Sequence, residues 1–272
     1  MTNTPTGSTR LAGVIGWPVR HSRSPDIHNA AYRALGIDWV YVALPVPPGQ
    51  VPAALTGMRA LGIEGLSVTM PHKGAVAAQV DVLTGDAAAL GAVNSVRRDG
   101  DRLVGDNTDG GGFVDSLLDE GVDPTGRRCV VLGAGGAARA VIRALAVAGA
   151  DRVVVVNRDP ERARTAAQLA GERGAVGTSD DLGRAELLVQ ATPVGMGDDP
   201  TLAADPVLLP DGAVVADLVY HPLVTPLLAA AEARGLRTVD GLGMLVHQAA
   251  RQLQAWTGRD APIDVMRRAA LG

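Results

Sequence analysis

Apolar residues along this chain fall into short runs separated by stretches of helical spacing, an alternation regular enough to predict elements. Residues 11–15, 39–44 and 65–68 read as strands, the first running into the loop Gly16-Trp17-Pro18. Between them, residues 25–35 have helical spacing, with Ser24 as N-cap and Pro25 at the first helical position. A second helix is predicted over 51–61, and another begins near Pro71. Residues 92–97 and 102–104 make a hairpin across Asp99-Gly100. The first third reads as a complete α/β unit without a phosphate loop of its own.

A helix over 109–120 and a turn at Asp123-Pro124-Thr125-Gly126 lead into a strand at Cys129. Downstream come a helix, a strand over 153–156, a helix over 160–173, strands over 187–190 and 213–217, and a helix over 226–234. This order predicts a mostly parallel sheet with right-handed crossovers. The strong helix pattern at 243–256 is expected to pack back on the first domain, because the second sheet is already supplied with helices. The predicted class is α/β with two domains. An N-terminal α/β domain, 1–108, is completed by C-terminal helices at 241–272, and a doubly wound domain spans 109–240.

Composition narrows the functional classes. The chain has 272 residues, with 25 basic and 29 acidic side chains giving a net charge of −4. That balance lacks the basic stripe of a nucleic-acid footprint. A single cysteine, Cys129, excludes an intrachain disulfide framework, and it reads as a small buried hydrophobe in the strand before a glycine loop. The polar opening MTNTPTGSTR is expected to fray. No basic-then-apolar leader and no apolar run of membrane-spanning length is found, so a soluble, cytoplasmic protein is expected.

The segment CVVLGAGGAARA, residues 129–140, carries the strongest local chemistry. An apolar run enters a loop with Gly133, Gly135 and Gly136, and a small-residue helical pattern leaves it. Gly133 permits the tight turn, Gly135 lets backbone approach a pyrophosphate, and Ala138 stands where a third glycine usually allows close packing. About 20 residues on, where such folds read the adenosine ribose, Asn157-Arg158 replaces the usual acidic residue. An amide and an arginine suit a 2′-phosphate, which points to NADP.

Three polar clusters precede that loop. In His21-Ser22-Arg23-Ser24-Pro25, two hydroxyls at a helix entrance can bind a carboxylate or phosphate, or simply cap the helix. In Ser67-Val68-Thr69-Met70-Pro71-His72-Lys73, a strand delivers Thr69 to a loop, Pro71 opens a helix and Lys73 projects from its first turn. A lysine there opposes the helix dipole, which suits a group that exchanges a proton, although an exposed surface lysine is the plainer reading. In Gly105-Asp106-Asn107-Thr108-Asp109, the polar residues can cap the next helix. Taken together, Lys73 and Asp109 form a lysine–carboxylate pair able to orient a secondary alcohol and accept its proton.

Seven segments, in this order, are GWPVRHSRSPDIHN, SVTMPHK, GAVNS, GDNTDGGG, GAGGAAR, ATPVGM and GLGMLVHQA. With these motifs the chain resembles the shikimate/quinate dehydrogenases across nearly its full length. The resemblance implies a Rossmann-like NADP domain, and a substrate held in a cleft between domains that closes to exclude water. Lys73 and Asp109 match the catalytic pair. Ser22 and Ser24 match the residues that hold the substrate carboxylate, with Tyr220 nearby. Thr69, Asn94 and Gln248 match positions around the ring hydroxyls. Gly133, Ala134, Gly135, Gly136, Ala137 and Ala138 match the pyrophosphate loop. Asn157, Arg158 and Arg162 match the 2′-phosphate clamp, and Gly243 and Met244 match positions beside the nicotinamide.

Spacing supports the clamp, since Arg158 and Arg162 lie four residues apart at a helix entrance and can converge on one phosphate. Two residues depart from the family pattern. Asp159 stands where threonine is common and reads as an N-cap, and Ser67 replaces an asparagine. His247 reads as a surface or packing residue. His21, His28, His72 and His221 lack metal spacing, so no metal is assigned. The implied activity is reduction of 3-dehydroshikimate to shikimate with NADPH by a monomer or homodimer whose partner is a small molecule, not a membrane or nucleic acid. The alternatives are a quinate or aminoshikimate dehydrogenase using NAD, and a non-catalytic nucleotide or metabolite sensor on the same scaffold.

Overall fold

The computed structural model describes residues 4–272. Contacts divide the chain into two compact units: the chain up to Thr108 with Gln248–Gly272, and Asp109–His247. The first unit begins with β1 (Arg10–Gly16), α1 (Ser24–Leu35), β2 (Trp39–Pro45), α2 (Val51–Ala60) and β3 (Gly65–Val68). It continues with α3 (Lys73–Ala77), β4 (Val82–Leu83), α4 (Gly85–Leu90), β5 (Ser95–Asp99) and β6 (Arg102–Asp106). Its six-stranded sheet has the order β2-β1-β3-β5-β6-β4. β1 is parallel to β2 and β3, whereas β5 is antiparallel to β3 and β6. Ile15, Leu66, Val68, Val51, Leu55 and Met58 pack one core against it. β1 lies between two neighbours and is buried from Ala12 onward, which is why its apolar run is continuous rather than alternating.

The second unit runs through α5 (Asp109–Asp119), β7 (Arg128–Leu132), α6 (Gly136–Val147), β8 (Arg152–Val156), α7 (Pro160–Ala167) and β9 (Gly174–Val176). Then come β10 (Leu187–Gln190), β11 (Val214–Asp217), α8 (Pro226–Ala233) and β12 (Arg237–Val239). All its strand pairs are parallel, in the order β12-β11-β10-β7-β8-β9. The chain runs outward from β7 to β9, then returns to β10 on the other side of β7, the doubly wound order of a Rossmann fold. Successive residues feed opposite cores: Val131, Val153 and Val155 enter one with Ile142 and Leu145, while Val130, Val154 and Leu188 enter the other with Leu227 and Leu228. Cys129 is among the buried residues, where burial pushes its thiol up to about 12.

Last come α9 (Gly241–Thr257) and α10 (Ile263–Leu271), the latter packing on α1. The division between units falls inside α9, between His247 and Gln248, rather than at its start. His247 Nε2 lies 3.4 Å from Asp119 of α5, while the Gln248 carbonyl accepts from Thr108 Oγ1 at 3.1 Å.

Local structure corrects several expectations. Arg23, not Ser24, is the N-cap of α1, and no side chain caps it; Ser24 and Pro25 are the first two helical residues. Ser22 Oγ instead accepts the Ser24 N–H at 3.2 Å. Pro71 does not open a helix: it follows a cis peptide, and α3 starts at Lys73 with His72 as N-cap. The helix expected over 160–173 is α-helical only to Ala167, and the 3-10 turns that follow are broken at Gly171, whose φ is 57°. The frayed opening was expected over residues 1–10. Its first three residues lie outside the described ones, and Ser8 and Thr9 donate to the Asp38 carboxylate at 3.0 and 2.7 Å. β4, β9, β12 and α4 were not anticipated, since strands of two or three residues and a single helical turn or two carry almost no periodicity.

Candidate active site

In the first unit, sheet topology gathers the polar clusters at one edge. The C-terminal ends of β1, β3 and β6 lie beside the start of β5, because Ser67 pairs with Ser95 and Ser95 with Asp106. The loop after β1 carries Ser22 and Ser24, the loop after β3 carries Thr69 and Lys73, Asn94 precedes β5, and Thr108 follows β6. Backbone bonds lock these loops together: Trp17 N–H to Met70 O at 3.0 Å, Val68 N–H to Asn94 O at 2.7 Å, and Val93 N–H to Lys73 O at 2.9 Å. Thr69 presses so closely on Gly16 that a Cβ there would overlap its Cγ2.

A buried hydrogen-bond network lies beneath this edge. Asn94 Nδ2 donates to Thr108 Oγ1 at 3.0 Å, and Asn94 Oδ1 accepts the Thr108 N–H at 2.8 Å. Gln252 Nε2 donates to Gln248 Oε1 at 2.9 Å and also faces the Asn94 carbonyl at 3.3 Å and Thr108 Oγ1 at 3.4 Å. Ser67 Oγ donates to Gln252 Oε1 and accepts from the Tyr41 hydroxyl at 2.6 Å. Burial pushes the Tyr41 phenol upward, and the Ser67 and Ser24 hydroxyls draw it only part of the way back. It therefore stays protonated, and its hydroxyl donates to Ser67. Asp109 is buried as the first residue of α5.

In the second unit, the C-terminal ends of β7, β8, β10 and β11 share one edge, Leu132 pairing with Val156 and Gln190, and Gln190 with Asp217. A cleft of about 440 Å³ opens where the strand order reverses, between β7 and β10. Gly133, Ala134 and Gly135 form its floor, with Asn157, Arg158 and Arg162 on one flank and Gln190 to Val194 on the other. Gly133 has φ 110°, and a Cβ there would come within 2.9 Å of Ala191 O, so only glycine fits. A Cβ on Gly135 or Gly136 would meet nothing within 4 Å, which leaves the approach to the loop open. Ala137 is exposed beside it, while Ala138 is fully buried against the sheet. α6 begins directly after the cleft-lining Gly135 and no side chain caps it, so its first N–H groups are available as anion donors. This open glycine loop, bare helix end and arginine flank fit an NADP molecule.

Asp159 lies at the arginine flank, yet its carboxylate is turned into α7, where Oδ1 accepts Glu161 N–H at 2.9 Å and Arg162 N–H at 3.2 Å. Tyr220 is exposed on the segment after β11. Asp217 pins that segment, accepting Val219 N–H at 3.0 Å and Thr225 Oγ1 at 2.8 Å. Burial nevertheless raises Asp217 to about 6. The first turn of α9, with Gly243 and Met244, docks on the same segment: a Cβ on Gly241 would overlap the Leu218 carbonyl.

Known proteins share this fold and sequence pattern. A model of the shikimate dehydrogenase substrate binding domain matches residues 14–96, a shikimate / quinate 5-dehydrogenase model matches 118–192, and a shikimate 5′-dehydrogenase C-terminal domain model matches 241–271. The shikimate dehydrogenase (NADP(+)) of Symbiobacterium thermophilum is 47% identical over 99% of this chain and 96% of its own. The chain belongs to the shikimate dehydrogenase family. The structure of shikimate 5-dehydrogenase from Thermus thermophilus in complex with NADP(H) and shikimate is similar to it, with a TM-score of 0.91, 38% identity, and coverage of 97% of this chain and 99% of that one. The quinate dehydrogenase of Corynebacterium glutamicum in complex with NAD follows at a TM-score of 0.90 and 33% identity, covering 97% and 99%.

In this member of the shikimate dehydrogenase family, Ser22, Ser24, Thr69, Lys73, Asn94 and Gln248 lie in the first unit, whereas Asp109, Tyr220, Gly243, Met244 and the cofactor residues lie in the second. Sequence reasoning missed Tyr41, which donates to Ser67, Gln252, which ties Ser67 to Gln248, and Gln190 and Thr192, which line the cleft. Thr192 lies inside the quoted motif ATPVGM and Gln190 just before it, so both were within reach of it. Tyr41 carried no local signal, sitting inside an apolar strand.

Proposed function

We propose that the protein catalyses the reversible, NADP-dependent reduction of 3-dehydroshikimate to shikimate. What carries this reading is the gathering of Ser22, Ser24, Thr69, Lys73 and Asn94 at one edge of the first sheet, in a chain that also holds an open glycine loop flanked by Arg158 and Arg162.

Reducing a ring ketone requires hydride at carbon and a proton at oxygen. NADPH, when bound, supplies the hydride. The Lys73 ammonium gives its proton to the carbonyl oxygen, and the neutral amine takes it back in the oxidative direction. The Asp109 carboxylate accepts hydrogen bonds from the reacting and neighbouring hydroxyls. Ser22 and Ser24 hold the substrate carboxylate, with Tyr220 beside it, and thereby choose which ring carbon is presented. Thr69, Asn94 and Gln248 hold the ring hydroxyls, so that positioning contributes much of the rate. The loop from Gly133 to Ala138 cradles the pyrophosphate, Asn157, Arg158 and Arg162 hold the 2′-phosphate, and Gly243 and Met244 lie beside the nicotinamide.

The test is oxidation of shikimate and of quinate, each with NADP and with NAD, followed by the absorbance of the reduced nicotinamide. Turnover of shikimate with a large preference for NADP is expected. Activity confined to quinate and NAD would favour the second reading, toward which the Asp159 carboxylate beside the arginine pair leans. Cofactor binding without turnover would leave a sensor.

A further inference from the structure

Gln252 is 1% exposed, lies one turn beyond Gln248 on α9, and has no part in the roles assigned above. We propose that Gln252 is a positioning residue: it holds the Gln248 carboxamide with its N–H donors toward the substrate's ring hydroxyls, and is itself held by Ser67 and Tyr41. This rests on the functional reading above.

Polarity runs one way through the relay. The Tyr41 phenol donates to Ser67 Oγ, so the Ser67 proton is directed to Gln252 Oε1. Gln252 Nε2 then faces Gln248 Oε1 at 2.9 Å and the backbone carbonyl of Asn94 at 3.3 Å. A carbonyl can only accept, so turning the Gln252 amide over would set oxygen against oxygen. With its Oε1 engaged, Gln248 presents an amide donor. A ring hydroxyl that gives its proton to a carboxylate has lone pairs left for such a donor.

The variant Gln252→Met keeps length and removes both polar atoms. In the wild-type background it is expected to raise KM for shikimate about tenfold, the scale of one misdirected hydrogen bond, with kcat and KM for NADP little changed. In a Gln248→Ala background the same change should leave KM for shikimate unaltered, because Gln252 acts only through Gln248. A merely structural residue would show its full effect in both backgrounds, and that result overturns the proposal, as does an unchanged KM in the first. Should Gln252→Met unfold by stranding the Ser67 hydroxyl, the double variant Ser67→Ala/Gln252→Met removes that donor and is read in the same way. If the wild-type chain turns over no shikimate with NADP, the functional reading fails and the proposal falls with it; if it does and the cycle is additive, the proposal fails alone.

Discussion

The imidazole of His28 lies flat against the phenol ring of Tyr41, their centroids 4.3 Å apart and their planes within 4°. The indole of Trp256 stacks 5.3 Å from the same imidazole, and among the described residues no group hydrogen-bonds either of its ring nitrogens. This stack holds the phenol that donates to Ser67, so an apolar packing contact orients the polar relay above it. Burial keeps the imidazole neutral, with its pKa lowered to about 3.

That depression makes His28 a source of acid sensitivity. The unfolded chain takes up a proton near 6.5, whereas the folded one resists until about 3. Stability contributed by this residue is therefore complete above 6.5 and is lost as pH falls toward 3, at up to about 1.4 kcal/mol per pH unit. His28→Phe keeps a flat ring that cannot charge. Denaturant unfolding at a series of pH values should show that slope removed, and an unchanged slope would mean the imidazole is not held neutral.

Asp217 works in the opposite sense. Its folded pKa of about 6 lies above the ordinary 3.8, so the native state binds the extra proton between those values. Stability rises as pH falls through 6, and the buried carboxylate is a burden above it. Asp217→Asn keeps an acceptor for the Val219 N–H and removes the titration. Unfolding curves of this variant should lose stability more steeply with acid than wild type between about 6 and 4, since the His28 slope is then unopposed.

Lys73→Ala should lower kcat by about 10²–10⁴-fold, the usual range for a proton-transfer group, and leave KM for shikimate comparatively intact. Steady-state kinetics in the oxidative direction measure this. Unchanged kcat with a raised KM would make Lys73 a binding residue instead.

Arg158→Ala and Arg162→Ala should each raise KM for NADP by about tenfold or more while barely affecting NAD, as expected for charge-assisted contacts with one phosphate. Asp159→Thr retains a capping oxygen for α7 and removes a negative charge from that flank. Its ratio of kcat/KM for NADP over NAD should rise, and a ratio that stayed level would show that the capping carboxylate is already screened from the phosphate.

Much of the fold was legible because its signals are local. The continuous apolar runs at 129–132, 153–156 and 187–189 are what a strand buried on both faces requires, and they fall in β7, β8 and β10. Gly133 could be picked out because one tight turn with positive φ admits little else. The polar clusters could be named because each sits within a few residues of a strand end. Ser24 and Pro71 were misplaced for a related reason: propensity indicates that a helix starts nearby, whereas the closing of neighbouring loops decides which residue begins it.

The chain by itself thus determined the alternation of elements, the glycine loop with its arginine pair, and the inventory of groups able to bind and move protons. Only tertiary structure decided that Tyr41, Ser67, Gln252 and Gln248 form one relay, that the Asp159 carboxylate faces its own helix, and that the units divide within α9. Propensity and periodicity act over a few residues, whereas hydrogen-bond direction and burial depend on groups brought together from distant parts of the chain.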